Sequence, residues 1–212
     1  MSPNQLIRIP EKFSTAASVM FVDVQNGRFV GVLDYHESPE APAHGNHIIK
    51  YECPKTPEWG KWLAANGRQM DQVQFAYFIE ENAPEIVDPS SAEMLEIATT
   101  LQSKNNASFS SAIKLENGQT QFSYIEKMDE KAGVNGQLTV PSIIKLGIKP
   151  LHGQDAYAME ARFRYRIQKE GGLVMWYDLI RPERIFEDAV NDVLSRIKDG
   201  MSKGTLIEGY AP

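Results

Sequence analysis

Segment 34–53 gathers Asp34, His36, His44, His47 and Cys53, which is three of the four histidines and the single thiol of the chain. Imidazole, thiolate and carboxylate are the donors zinc prefers, and a loop can converge them on one ion. The spacing argues the other way. His44-Gly45-Asn46-His47 is not the i, i+4 histidine pair of a helical zinc site, and no second cysteine supplies a thiolate partner. The plainer reading is a polar loop returning to a strand, with His44 and His47 hydrogen-bonding its backbone. His36, His44, His47 and Cys53 are thus the candidate zinc ligands, and no other cofactor is implied.

A second pattern lies near the C-terminal end. Arg162, Arg164 and Arg166 alternate with Phe163, Tyr165 and Ile167. In a strand this period of two sends the apolar residues to one face and the arginines to the other, about 6–7 Å apart along the chain. That interval is close to the spacing of phosphates in a stretched single strand. The guanidinium group is planar, permanently charged and bidentate toward phosphate. Tyr157, Trp176 and Tyr177 lie in the same region as stacking platforms for bases. The candidate nucleic-acid residues are therefore Arg162, Arg164, Arg166, Tyr157 and Trp176. The competing reading pairs the arginines across the sheet with Glu160, Glu170 or Asp178.

Other chemistry leaves no trace. The chain has no Gly-x-Ser-x-Gly elbow and no glycine-rich phosphate loop followed by Lys-Ser or Lys-Thr. Glu80-Glu81 and Asp129-Glu130 read as solvated surface, because nothing in the sequence holds a carboxylate pair across a cleft. No catalytic residue is assigned.

The elements that must position these groups are marked by turns and caps. Asn26-Gly27, Asn117-Gly118, Asn135-Gly136 and Gly171-Gly172 tolerate positive φ and suit two-residue hairpins. They predict hairpins of Val19–Gln25 with Arg28–Asp34, Ala107–Leu115 with Thr120–Glu126, and Tyr157–Gln168 with Leu173–Leu179. Thr56-Pro57 opens a short helix carrying Trp59, Trp62 and Leu63. Asp71 and Gln74 have the spacing of a capping box, ahead of Phe75, Phe78 and Ile79. A third helix follows Asp88-Pro89 with Met94, Leu95, Ala98 and Leu101 inward. The strongest follows Pro182, where Ile185, Phe186, Ala189, Val190, Val193, Leu194 and Ile197 form one stripe, ending with Gly200 as a C′ residue. Its expected partner is the apolar face of the 157–179 meander. Strands, then helices, then an antiparallel meander and a terminal helix make an α+β fold of hairpins packed with several helices.

Composition bounds the rest. The 212 residues carry 42% hydrophobic and 24% charged side chains with a net charge of −6, as in a globular chain and unlike a general nucleic-acid coat. The charge is uneven, −7 over residues 1–141 and +1 over residues 142–212. One α+β domain over 1–212 is expected, with a possible division into an acidic part at 1–88, a helix–meander–helix part at 89–200 and a tail at 201–212. No apolar run is long enough for a membrane span, no secretory leader is evident, and a lone cysteine fits a reducing cytoplasm.

Longer strings carry a resemblance. Trp59-Gly60-Lys61-Trp62, the run from Gln72 to Glu80, Ala98-Thr99-Thr100-Leu101, Ser108-Phe109-Ser110-Ser111 and Glu116-Asn117-Gly118-Gln119 resemble the YfdQ-like family of phage and prophage proteins. The similarity extends through Asp34-Tyr35-His36, His44–His47 and the arginine strand to Arg181-Pro182-Glu183, most of residues 30–198. The family carries a domain of unknown function, so the resemblance implies phage origin and an early, non-virion gene in the host cytoplasm, and no catalytic residue. The resulting expectation is a non-catalytic, homo-oligomeric protein of phage DNA replication or recombination that binds or anneals single-stranded DNA. The alternative is a counter-defence or host-takeover protein that binds a host protein. A metal-dependent enzyme using loop 34–53 is the weaker alternative.

Overall fold

The structure is a computed structural model that describes residues 8–9, 11–38, 40–43, 45–105, 113–114, 120–121, 128–131, 139–167, 172–201 and 203–210, with backbone only for 102–105, 113–114, 120–121, 128–131 and 167. The architecture is α+β. The chain forms two compact units, Met1–Ala64 with Ile148–Met159 and Arg181–Pro212, and Ala65–Gly147 with Glu160–Ile180. Among the described residues no helix is long and apolar enough to cross a membrane.

In the first unit, strands β1 (Val19–Asp23), β2 (Arg28–Val32) and β3 (Ile48–Glu52) form an antiparallel run. The expected hairpin is present, but its connection is longer than two residues. Asp23 pairs with Arg28, so Val24–Gly27 form the turn, and Gly27 takes the left-handed conformation at φ 65°. A Cβ there would meet Phe186, Cys53 and Val190 at 3.1–3.3 Å, so glycine is required by both space and φ. Helix α1 (Pro57–Ala64) follows. The Thr56 hydroxyl caps it, accepting the Trp59 N–H at 3.2 Å, and Trp59 and Trp62 are buried. Leu63 stays partly exposed.

In the second unit, β4 (Met70–Asp71) leads into α2 (Gln72–Glu81) through the expected capping box. Asp71 Oδ1 accepts the Gln74 N–H at 2.8 Å, and Gln74 Oε1 accepts the Asp71 N–H at 3.4 Å. A short 3-10 turn and β5 (Ile86–Asp88) precede α3 (Ser91–Thr100), which Ser90 and Glu93 cap in the same way. The pairs β6 (Gln102–Asn105) with β9 (Met128–Lys131), and β7 (Ile113–Lys114) with β8 (Thr120–Gln121), are antiparallel. The Asn117-Gly118 and Asn135-Gly136 turns lie outside the described residues. Strands β10 (Ile143–Ile148), β11 (Tyr157–Ile167) and β12 (Leu173–Leu179) complete a sheet of order β4-β12-β11-β10-β5. The β11–β12 pairing is the expected one, and residues 168–171 of its turn lie outside the described residues. Phe75 of α2 meets Phe163 with ring centroids 5.5 Å apart, and Phe78 stacks on Tyr177 at 5.5 Å.

The last helix, α4 (Pro182–Gly200), belongs to the first unit and buries Phe186, Ala189, Val190, Val193, Leu194 and Ile197. Several partners of its stripe lie within that unit. Phe186 stacks on Trp59 at 6.3 Å and lies with Val190 against the Gly27 turn. The Gln154 side chain donates to the Ala189 carbonyl at 2.6 Å. Gly200 is helical rather than a left-handed cap, and the Met201 N–H closes the last turn on Ile197 O. Residues read as a tail then form β13 (Thr205–Glu208), parallel to β1 at the sheet edge.

Val193 is 5% exposed on α4. Val193→Asp buries an unpaired carboxylate and should cost several kcal/mol, read as a large fall in the urea midpoint with the slope unchanged.

Candidate functional site

The pleat of β11 and β12 builds a two-sided surface in the second unit. Opposed residues share a face, so Phe163 with Tyr177 and Tyr165 with Met175 lie on one side. Arg162 with Asp178, Arg164 with Trp176 and Arg166 with Val174 lie on the other. Phe163, Met175 and Tyr177 are buried, while all three arginines are exposed. The alternation read from the sequence is therefore the geometry of the sheet.

Each arginine has its own setting. Arg166 lies over the Trp176 ring, 6.0 Å from its centroid, and Nη2 donates to Gln69 Oε1 at 2.9 Å. Arg164 Nε donates to Asp178 Oδ2 at 3.2 Å, both side chains being about half exposed. An ion pair this open is worth roughly 0–1 kcal/mol. Arg162 has no ion pair among the described residues. Asp88, bonded to Lys145 at 2.8 Å, is the main cause that raises the Lys145 pKa, and Glu160, two positions before Arg162, adds a smaller electrostatic contribution. Acid pairing thus holds for Arg164 and Asp178, and Arg166 is committed instead to an aromatic ring and an amide.

Tyr157 does not join this group. It lies an odd number of residues from Arg162 on one strand, so alternation turns it to the other face. Its hydroxyl donates to Asp192 of α4, and burial together with that carboxylate pushes its pKa up. Closeness along the chain does not give a shared face on a pleated strand. Gln69, from a segment 97 residues away, joins the group instead.

Of the four candidate zinc ligands, His36, His47 and Cys53 are described. His36 Nδ1 accepts the Ala43 N–H at 3.1 Å, and His47 Nδ1 lies 3.4 Å from Asp34 Oδ2. His44 lies outside the described residues. Cys53 continues the parity of the buried Ile49 and Tyr51, the side of β3 opposite Ile48 and Lys50. Burial pushes its thiol up to about 12. Among the described residues no group of three or more His, Cys, Asp or Glu side chains is placed to hold a metal ion. Loop 33–47 is instead organised by Asp34, whose carboxylate accepts the His47 N–H at 2.8 Å and the Asn46 N–H at 2.9 Å. The His47 amide is the main cause holding the Asp34 pKa down to about 2. The His36 ring bonds the loop backbone and the His47 ring faces the Asp34 carboxylate, while the bond expected from His44 lies outside the described residues.

A family model described as "Uncharacterized conserved protein (DUF2303)" matches residues 1–209. The chain belongs to this family. No curated protein and no solved structure matches it.

Two outcomes follow from the loop. Because the Asp34 pKa is depressed on folding, its contribution is present above the ordinary carboxylate range and is lost as pH falls toward about 2. Amide exchange at Asn46 and His47 should therefore accelerate, beyond the intrinsic pH effect, between pH 4 and 2, and Asp34→Asn should remove that excess. Cys53 should resist Ellman's reagent at pH 8 in the folded protein and react fully in urea. Rapid modification of the native chain would mean the thiol is accessible.

Proposed function

We propose that this family member binds single-stranded nucleic acid through the exposed face of β11 and β12, as a non-catalytic homo-oligomer serving phage DNA replication or recombination. One observation carries the reading. Arg166 lies over Trp176, with Arg164 opposite that ring and Arg162 next along the strand. An indole flanked by guanidinium groups offers a base a stacking partner and its phosphates bidentate donors within one strand spacing. The weak, open contact of Arg164 with Asp178 costs little to exchange for a phosphate. The resemblance to YfdQ-like phage proteins supports the biological setting. The acidic total of −6 limits long-range steering, so the local face must supply the affinity.

A second reading, capture of a host protein, has its own support. Val73 and Tyr77 stand one turn apart on α2 and are 61% and 62% exposed. Apolar side chains displayed this way suit a protein partner.

Changing Arg162, Arg164 and Arg166 to Gln should weaken oligo-dT binding strongly while leaving the melting temperature within a few degrees. It should also flatten the slope of log K against log salt by roughly two, since each single-strand phosphate contact contributes about 0.7. Fluorescence anisotropy at three salt concentrations reads both quantities. Wild-type protein that ignores oligo-dT throughout sinks the nucleic-acid reading and leaves the protein-partner one standing.

A further inference from the structure

The first unit carries a cleft of about 410 Å³ on the outer face of its four-stranded sheet, apart from the arginine strand. Phe21, Val30 and Val32 supply the apolar floor. Tyr35, packed edge-on to Phe21 at 5.7 Å and 4.9 Å from the His36 ring, forms a wall. A volume of this size, mainly apolar with a few polar groups, is typical of small-molecule sites.

The polar groups at this cleft are unequal in what they have left to offer. Both lining carboxylates are committed. Asp23 accepts the Asn26 backbone N–H at 3.1 Å on Oδ1 and its side-chain amide at 2.8 Å on Oδ2. Asp34 accepts the two amides of its own loop, one on each oxygen. The donors are free by comparison. Lys50 has no ion pair among the described residues, and Arg28 has only an open 3.6 Å contact with Glu52. Since His36 Nδ1 accepts the Ala43 N–H, its proton sits on Nε2. Arg28 lies opposite Glu52 and Lys50 opposite Val30, which makes the two cations diagonal neighbours roughly 7–8 Å apart across β2 and β3.

We propose that this cleft binds a flat aromatic anion, its ring on Phe21, Val30 and Val32 beside Tyr35 and its acidic group between Arg28 and Lys50. Free donors with committed acceptors select a ligand rich in acceptors, and the apolar floor rejects a small hydrated anion. The site is independent of the nucleic-acid reading because it shares no residue with the arginine face.

The test uses the full chain and 1-anilinonaphthalene-8-sulfonate, an aromatic anion that brightens in apolar surroundings, beside the neutral N-phenyl-1-naphthylamine. The wild type should bind the sulfonate saturably at one site and more tightly than the neutral amine. Lys50→Gln, at an exposed position, should weaken the sulfonate about tenfold and leave the neutral amine unchanged. Val30→Trp should fill the floor and abolish both signals, with thermal melts confirming that each variant folds. Should Val30→Trp fail to fold, the Lys50→Gln comparison decides alone. Absence of a saturable wild-type signal, or equal loss of both dyes in Lys50→Gln, overturns the proposal. So does a sulfonate affinity that Lys50→Gln leaves intact.

Discussion

The second unit depends on the pleat of one hairpin. Opposed residues of β11 and β12 must share a face, so sending Phe163 and Tyr177 toward Phe75 and Phe78 also sends Arg164 and Trp176 the other way. Each large apolar side chain buried there contributes about 1.5–3 kcal/mol. The open Arg164–Asp178 pair is worth less than any one of them. Packing therefore chooses the face, and the charges take what remains. A surface whose charges do little for folding is free to spend them on a ligand.

The first unit repeats this division with another balance. One side of β1, β2 and β3 buries Met20, Val22, Phe29, Ile49 and Tyr51, and Cys53 continues that side. The other side is apolar at its centre and charged at its rim, and loop 33–47 borders it. Asp34 holds that loop through the Asn46 and His47 backbone amides, beside the His36 and Tyr35 side of the cleft. The same carboxylate that resembles a ligand in sequence is used up as a local acceptor.

Local charge and total charge point in different directions for function. A chain at −6 repels a polyanion at a distance, so any nucleic-acid contact must come from short-range stacking and bidentate hydrogen bonds. Arg166 over Trp176 is a short-range contact of this type, a guanidinium on an aromatic face.

Features coded within a few residues were legible without coordinates. The Asp71–Gln74 box, Thr56 before Pro57 and the stripe from Phe186 to Ile197 each depend on groups one or two turns apart, so composition and spacing suffice. The arginine alternation was legible for the same reason, since the pleat repeats every two residues. The Ser90–Glu93 box is equally local and starts the helix just beyond Asp88-Pro89. What only the tertiary structure decided is non-local: β13 beside β1, Gln69 beside Arg166, α4 against α1 and the Gly27 turn, and the cleft between sheet and loop. Distant pairings are chosen by which arrangement buries the most apolar surface with every polar group satisfied. That comparison runs over whole chain conformations, and no window of sequence contains its terms.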